Sequence, residues 1–433
     1  MHVVVIGGGV IGLTTAYHLS RAGAEVTVVD AGGTGTGASR VNAGWVVPSC
    51  AEPVPGPGMV LKSLRWMLRR DSPLYIRPSL DPAFVRFMLD MRRRCNAVDQ
   101  RAGFEAHLEL MARSAEVFDD YRADGIDFEL RSAGLLMAFT DRHNLDHHLP
   151  NLDIAERHGL EPQVLLGDAV REQEPLLSAR VRGGIYFPHE RHLAPDVFVR
   201  SLAARLVAHG VRILEDAPVG RVSARAGAVT AVHTTRHDLA GDAFVLATGA
   251  WSGRSAALFG ARLPVRPGKG YSIDLAPLPL RQPVNLSDAK VAVIPLSDRL
   301  RLAGTMEFGG LDQAVNNVRV QAILRAPGAY FRGWQPPSDP PRALAGCRPM
   351  TPDGLPVIGR LGGLGNAYVS TGHAMLGLTL APATAQALSA LILHGDQQPA
   401  LAPFSADRFT TGRPHPRNTR AVRHAATHGR KSH

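Results

Sequence analysis

"VVVIGGGVIGLTTAYHLSRAGAEVTVVD", residues 3–30, decides the fold. The apolar run Val3 to Ile6 reads as a strand that glycines stop at once. Gly7-Gly8-Gly9-Val10-Ile11-Gly12 then supplies GxGxxG, and Leu13, Ala16, Tyr17 and Leu19 follow at helical spacing. Val26 to Val29 make a second strand that ends at Asp30. Each glycine has a mechanical role, with a tight turn at Gly7, close phosphate approach at Gly9 and helix-on-strand packing at Gly12. The helix start offers unpaired N–H groups to a pyrophosphate, and Asp30 is placed to accept hydrogen bonds from a ribose. Strand, loop, helix and acid agree, so the segment reads as a dinucleotide site.

Working outward, 433 residues suffice for two domains with separate cores. Cys50, Cys95 and Cys347 are odd in number and widely spaced, which fits no disulfide framework or CxxC pair. A reducing compartment, the cytoplasm, is the expected location. No apolar run approaches a signal-peptide core or a membrane span. The net charge of +10 is uneven: residues 407–433 hold seven Arg/Lys against one Asp, +6, leaving +4 for the rest. The tail 407–433 reads as disordered, and it lacks the interleaved aromatics that stack bases, so nucleic acid is not an expected partner.

"DAFVLATGAWS" (242–252) is an apolar strand running into Thr248-Gly249-Ala250-Trp251, and resembles the second nucleotide-contacting strand of flavoproteins built like glutathione reductase. "GVRILEDAPVGRV" before it reads as alternating strands with Val219 against the adenine side, and "SRVNAGWVVPS" (39–49) brings small residues where backbone approaches a ligand. With "NAGWVVPSCAEPVPGPG" (42–58), "RPGKGYSID" (266–274), "RLRLAGTMEFGG" (299–310), "GCRPMTPDGLPVIG" (346–359) and "STGHAMLGLTLAPATAQALSALI" (370–392), the chain resembles the D-amino-acid dehydrogenase group. That group lies within the D-amino-acid, glycine and sarcosine oxidase family, and the resemblance covers nearly everything before the tail.

The resemblance implies an α/β fold: a glutathione-reductase-like, Rossmann-type FAD-binding domain with a discontinuous mixed-sheet α+β substrate domain. The expected borders are 1–58, 192–255 and 343–400 for the FAD domain, and 59–191 with 256–342 for the substrate domain. The FAD contacts it implies are Gly7, Gly9, Val10, Ile11, Gly12, Asp30, Ala31, Ser39, Asn42, Ala43, Gly44, Val219, Thr248, Gly249, Trp251, Gly346, Gly372, His373, Gly377, Leu378 and Thr379. Sarcosine-oxidase-like relatives attach flavin through a cysteine whose register falls here on Gly346, so FAD is expected to be non-covalent and Cys347 a small buried hydrophobe.

Arg348 matches the arginine that holds the substrate carboxylate in this family. A guanidinium is shaped for bidentate carboxylate recognition, and Pro349 keeps Arg348 extended. The alternative is a local pair with Asp353 across the turn. Tyr271 is either a hydroxyl contact to substrate or strand core. His373, at the turn before the last helix, either faces the flavin or bonds to backbone. The implied reaction is hydride transfer from the Cα–H of a D-amino acid to flavin N5, giving an imino acid that hydrolyses to 2-oxo acid and ammonia, with no catalytic base required. Within the group, electrons pass to a quinone or respiratory-chain acceptor. Alternatives are an oxygen-using glycine, sarcosine or D-hydroxyproline oxidase, a dehydrogenase subunit, a tRNA-modifying flavin oxidase or a flavin protein that only binds a partner. "MVLKSLRWMLRR" (59–70) sets Lys62, Arg65 and Arg69 on one helical face and Leu61, Leu64 and Leu68 on another, with Trp66 between. Such a helix either lies on the inner face of the cell membrane as a peripheral contact or packs on its own domain.

Overall fold

The computed structural model describes residues 1–67 and 69–409. Strand β1 (His2–Ile6), helix α1 (Val10–Arg21) and strand β2 (Glu25–Val29) follow one another as the glycine spacing predicts. β1 lies inside a six-stranded sheet ordered Arg212–Leu214, β2, β1, Ala243–Leu246, Ala367–Thr371, Val357–Arg360, in which only the last pairing is antiparallel. A parallel sheet needs cover on both faces. Val3 and Val5 point into a core shared with α1 and the terminal helix Gly377–His394, while Val4 and Ile6 point to a core under the three-stranded meander Arg221–Arg225, Ala228–His233, Asp238–Ala240. Val219 sits in the loop before that meander rather than on a strand, two residues past Ala217, whose N–H bonds the Asp30 carbonyl at 2.8 Å.

A second, mixed sheet forms a roof. Its strands run Leu344–Met350, Arg266–Leu275, Leu300–Phe308, Val291–Pro295, Val284–Leu286, Leu135–Phe139, Gly183–Phe187, Gln163–Leu166, with Leu74–Ile76 alongside Met306–Phe308. Two expected borders move. Residues 344–350, placed with the FAD unit, hydrogen-bond along Arg266–Ser272 and belong to the roof. Helices Ala97–Met111 and Ser114–Ala123, placed with the substrate unit, bury Phe104, Leu108, Phe118 and Tyr121 in the core of α1 and the terminal helix. In both cases tertiary pairing, which local sequence does not encode, decides membership.

Composition places the start of the basic tail at residue 407. Ala406–Phe409 is instead a short 3-10 turn, and Arg408 pairs with buried Asp353 at 2.8 Å. The rest of that tail lies outside the described residues. The amphipathic segment is helical over Met59–Met67, so Arg69 falls beyond it and pairs with Asp71 at 3.3 Å; Leu68 is outside the described residues. Among the described residues one helix, Gly377–His394, is long and apolar enough to cross a membrane, and 72% of it is buried inside the fold.

Candidate active site

The glycine loop is built for close approach. A Cβ on Gly7 would overlap the Ala247 carbonyl and one on Gly12 the Gly7 carbonyl, whereas one on Gly9 would meet only Ser39 Oγ, at 3.3 Å. Gly9 therefore leaves its outer side open at the start of α1, where no side chain of its own caps the helix. Ser39 reaches across to accept the Val10 N–H at 2.9 Å, tying the segment after β2 to the helix start. Asp30 stands at the end of β2, accepting the Gly8 N–H at 2.6 Å on one oxygen and the Gly32 N–H at 2.9 Å on the other. Each oxygen keeps a free lone pair for a diol. Ala31 beside it is exposed.

Across the sheet, Thr248, Ser252 and Thr371 form a hydroxyl chain of 3.1 and 2.7 Å that ends on the Gly249 carbonyl. Trp251 is exposed. Gly44 adopts φ +87°, and a Cβ there would overlap the Leu193 carbonyl, so this turn requires glycine.

Under the roof sheet lies a cavity of about 1200 Å³. Asn42, Ala43 and Thr379 line it, with Gly346, Tyr271 and Arg348 in the roof. A Cβ on Gly346 would stand 3.1 Å from Val41 Cβ, so glycine lets the roof approach the helix Ala38–Val41. Thr379 Oγ1 donates to the Trp45 carbonyl at 3.1 Å and accepts the Val47 N–H at 3.2 Å, holding the first turn of the terminal helix against the cavity wall. That turn carries no acid and no side-chain cap, so its N–H groups present partial positive charge.

Arg348 is the decisive group. Its guanidinium lies over Gly270, where any side chain would collide with it, and Nη1 donates to the Thr305 carbonyl at 2.8 Å. Thr305 reaches that position through a bulge: Lys269 pairs with Glu307 and Tyr271 with Gly304, so residues 305 and 306 stand opposite Gly270 alone. Its φ of +67° is strained for a β-branched residue. No carboxylate among the described residues pairs with Arg348. The local alternative, Asp353, is already bound by Arg408. Burial lowers the Arg348 pKa to about 10, which still leaves it charged at neutral pH.

The other nominated side chains resolve differently. Tyr271 lines the cavity, and its hydroxyl donates to Glu307 Oε2 at 2.8 Å and accepts the Asn316 N–H at 3.3 Å. His373 does not line the cavity. It is 2% exposed, with Nε2 3.2 Å from Thr384 Oγ1 on the terminal helix, and burial pushes its pKa down to about 3. Its partner is a side chain, not backbone, because the left-handed Gly372 (φ +78°) turns the residue inward. Gly372, Gly377 and Leu378 also lie off the cavity wall, whereas Ala374, Met375 and Leu376 are on it. Cys347 directs Sγ to the Asp312 carbonyl at 3.6 Å, away from the cavity. Sequence reading missed Glu52, Asn285 and Lys290, which also line it; only a known strand register would have brought them together.

A family model described as FAD dependent oxidoreductase matches residues 2–391. The chain belongs to the FAD-dependent oxidoreductase family. This flavoprotein is 34% identical over 401 residues to D-amino acid dehydrogenase 1 of Mesorhizobium japonicum, covering 90% of the chain and 95% of the relative. It is 36% identical over 403 residues to a D-amino acid dehydrogenase of Cereibacter sphaeroides, covering 90% and 92%. Its fold matches glycine oxidase from Geobacillus kaustophilus at a TM-score of 0.75 with 24% identity, over 94% of this flavoprotein and 98% of that one.

Proposed function

We propose that the protein oxidises D-amino acids to 2-oxo acids and ammonia with non-covalently held FAD. The observation that carries this is Arg348, a charged guanidinium in the cavity roof with no acid partner among the described residues. A desolvated cation needs an anion, and the α-carboxylate of an amino acid is the planar, bidentate partner that suits it. The open side of Gly9, the Asp30 carboxylate and the wall from Asn42 to Gly346 and Thr379 would hold the cofactor. FAD supplies the two-electron acceptor that takes the substrate from amine to imine. The chain's own part is positional. Arg348 fixes the carboxylate, the Thr305 carbonyl holds one edge of the guanidinium, and the first turn of the terminal helix offers N–H groups where negative charge develops. His373, off the cavity wall, takes no part in this scheme.

The fold is shared with proteins described as L-proline dehydrogenase and L-amino acid deaminase, so handedness rests on the relatives named D-amino acid dehydrogenase. Anaerobic mixing with D-alanine, its L-isomer, glycine and sarcosine tests the reading. Bleaching of the flavin by the D-isomer alone is expected; bleaching by glycine or sarcosine alone would move the protein to the oxidase branch.

The electrons leave, on this reading, to a quinone-type acceptor at a membrane surface. Leu61 and Leu64 are 56% and 55% exposed, and Val85 and Leu89 of the helix Pro82–Arg93 are exposed beside them. Leu64, Val85 and Leu89 rim the cavity, with Lys62 among them, so the apolar basic face and the cavity mouth are one surface. Leu61→Asp with Leu64→Asp should abolish sedimentation with anionic vesicles while anaerobic flavin reduction continues. Unchanged sedimentation would remove the membrane from the scheme.

A further inference from the structure

Arg348 is not the only unpaired cation facing this cavity. Lys290 occupies the turn between strands Val284–Leu286 and Val291–Pro295, in the left-handed region at φ +54°. Its side chain lines the cavity and, among the described residues, makes no hydrogen bond and no ion pair. The contrast with other lysines and arginines of the roof is direct. Lys269 Nζ stands 2.7 Å from Asp312, and Arg301 Nε stands 2.7 Å from Asp274. Lys290 keeps part of its surface exposed at the cavity wall. Lys62, Asp288 and Glu52 are the charged groups that act on it, and none of them stands within ion-pair distance.

Two neighbours define what it could hold. Asn285, on the preceding strand, also lines the cavity, and its side-chain amide has no partner among the described residues. Glu52 lines the same wall, but its carboxylate is already covered, accepting from Asn151 Nδ2 at 2.8 Å and Gln100 Nε2 at 3.4 Å. Glu52 is thus satisfied by amides, and Lys290 with Asn285 keeps free donors. That set suits an oxygen anion.

The sheet fixes how the two cations relate. The strand Leu300–Phe308 is flanked by Arg266–Leu275 on one side and Val291–Pro295 on the other. Arg348 comes over the first flank at Gly270 and bonds the Thr305 carbonyl, while the Lys290 carbonyl on the second flank lies 3.3 Å from where a Gly304 Cβ would be. The guanidinium over Gly270 and the Lys290 backbone therefore stand on either side of Gly304 and Thr305, two strand spacings or about 10 Å apart, with Arg348's own backbone one strand farther out. Two cations so placed match the two carboxylates of a short amino dicarboxylic acid.

We propose that Lys290, assisted by Asn285, is the specificity-determining residue of the side-chain pocket, selecting D-amino acids with an acidic side chain of aspartate or glutamate size. The inference rests on the reading that Arg348 holds the α-carboxylate. The reaction is the same two-electron oxidation of the Cα–N bond, with FAD as oxidant and water releasing ammonia, and the distal carboxylate is untouched.

The test is anaerobic stopped-flow reduction of the FAD-loaded protein by D-glutamate, D-aspartate, D-alanine and D-lysine, for wild type, Lys290→Met, Lys290→Arg and Asn285→Ala. Wild type should reduce faster per unit concentration with D-glutamate or D-aspartate than with D-alanine or D-lysine. Lys290→Met should lower the glutamate-to-alanine ratio by about ten- to hundredfold, the worth of one charged hydrogen bond. Lys290→Arg should restore most of the ratio, and Asn285→Ala should lower it several-fold. Retained FAD absorbance and an unchanged melting temperature show that each variant is folded. Reduction by D-alanine with D-glutamate no better, or a ratio indifferent to Lys290→Met, would overturn the inference and leave the proposed function standing. Reduction by no D-amino acid at all would overturn both.

Discussion

Arg301 and Arg348 stand in the same roof sheet, and their environments are opposite. Arg301 is 1% exposed and commits its donors to the fold. Nε and Nη2 grip Asp274 at 2.7 and 2.8 Å, and Nη1 donates to the carbonyls of Arg40 and Asn42 at 3.1 and 3.0 Å. Its acid is the residue directly opposite on the neighbouring strand. Opposite Arg348 is Gly268, and the guanidinium turns to the Thr305 carbonyl instead. One arginine is closed by its strand partner, and the other is kept open by a glycine. The difference separates a guanidinium that staples the roof to the cofactor loop from one held in reserve for a ligand.

Exchanging or deleting these groups sharpens the contrast. Arg348→Ala should cost about 2–5 kcal/mol in kcat/KM, as truncating one partner of a buried charge pair does, while FAD absorbance persists. Arg348→Lys should recover part of the rate but not bidentate affinity. Arg301→Met should do the reverse, lowering unfolding free energy by about 3 kcal/mol and loosening FAD, because it takes the bidentate partner from Asp274, leaving it Arg299 at 3.2 Å, and frees residues 40–42. Urea unfolding and FAD fluorescence report both. If Arg301→Met spared stability and removed activity, the division of roles would fail.

Glu190 extends the comparison to an anion without a cation. It is 2% exposed, accepts the Ser49 N–H at 2.8 Å, and burial raises its pKa to about 7. A carboxyl whose folded pKa lies above its unfolded value favours folding only while protonated. Its contribution is full below the unfolded pKa near 4.5 and is lost as pH rises through about 7. Glu190→Gln keeps the acceptor and removes that loss, so the variant should gain about 2–3 kcal/mol on wild type at pH 8 and little at pH 5. A gain independent of pH would contradict the assignment. Arg408→Ala, the mildest case, strands Asp353 and should cost about 2 kcal/mol of stability, most of it recovered by adding Asp353→Asn.

What could be read from sequence follows the range of the interactions. The Gly7–Gly12 loop and Asp30 are legible because turn, helix start and strand end lie within thirty residues. Arg348 is legible through the segment around it, but the reason it is free is not. Arg408, which occupies Asp353, falls in a stretch whose composition reads as tail. The place of His373 is not legible, because only the backbone at Gly372 shows that the ring turns inward. Lys290 and the Thr305 bulge depend on strand register, which alternating apolar residues leave open among several pairings.

The order of strands in the six-stranded sheet has a consequence for how the protein is made. β1 is made before the rest of its sheet, yet one of its flanking strands, Ala243–Leu246, comes more than two hundred residues later, and the helix packed on α1, Gly377–His394, later still. For most of translation, at roughly 5–20 residues per second, the first strand has an unpaired edge and the glycine loop has no wall behind it. The cofactor's cradle is begun at the glycine loop and completed only by the helix Gly377–His394, so a chain stalled before that helix should emerge colourless.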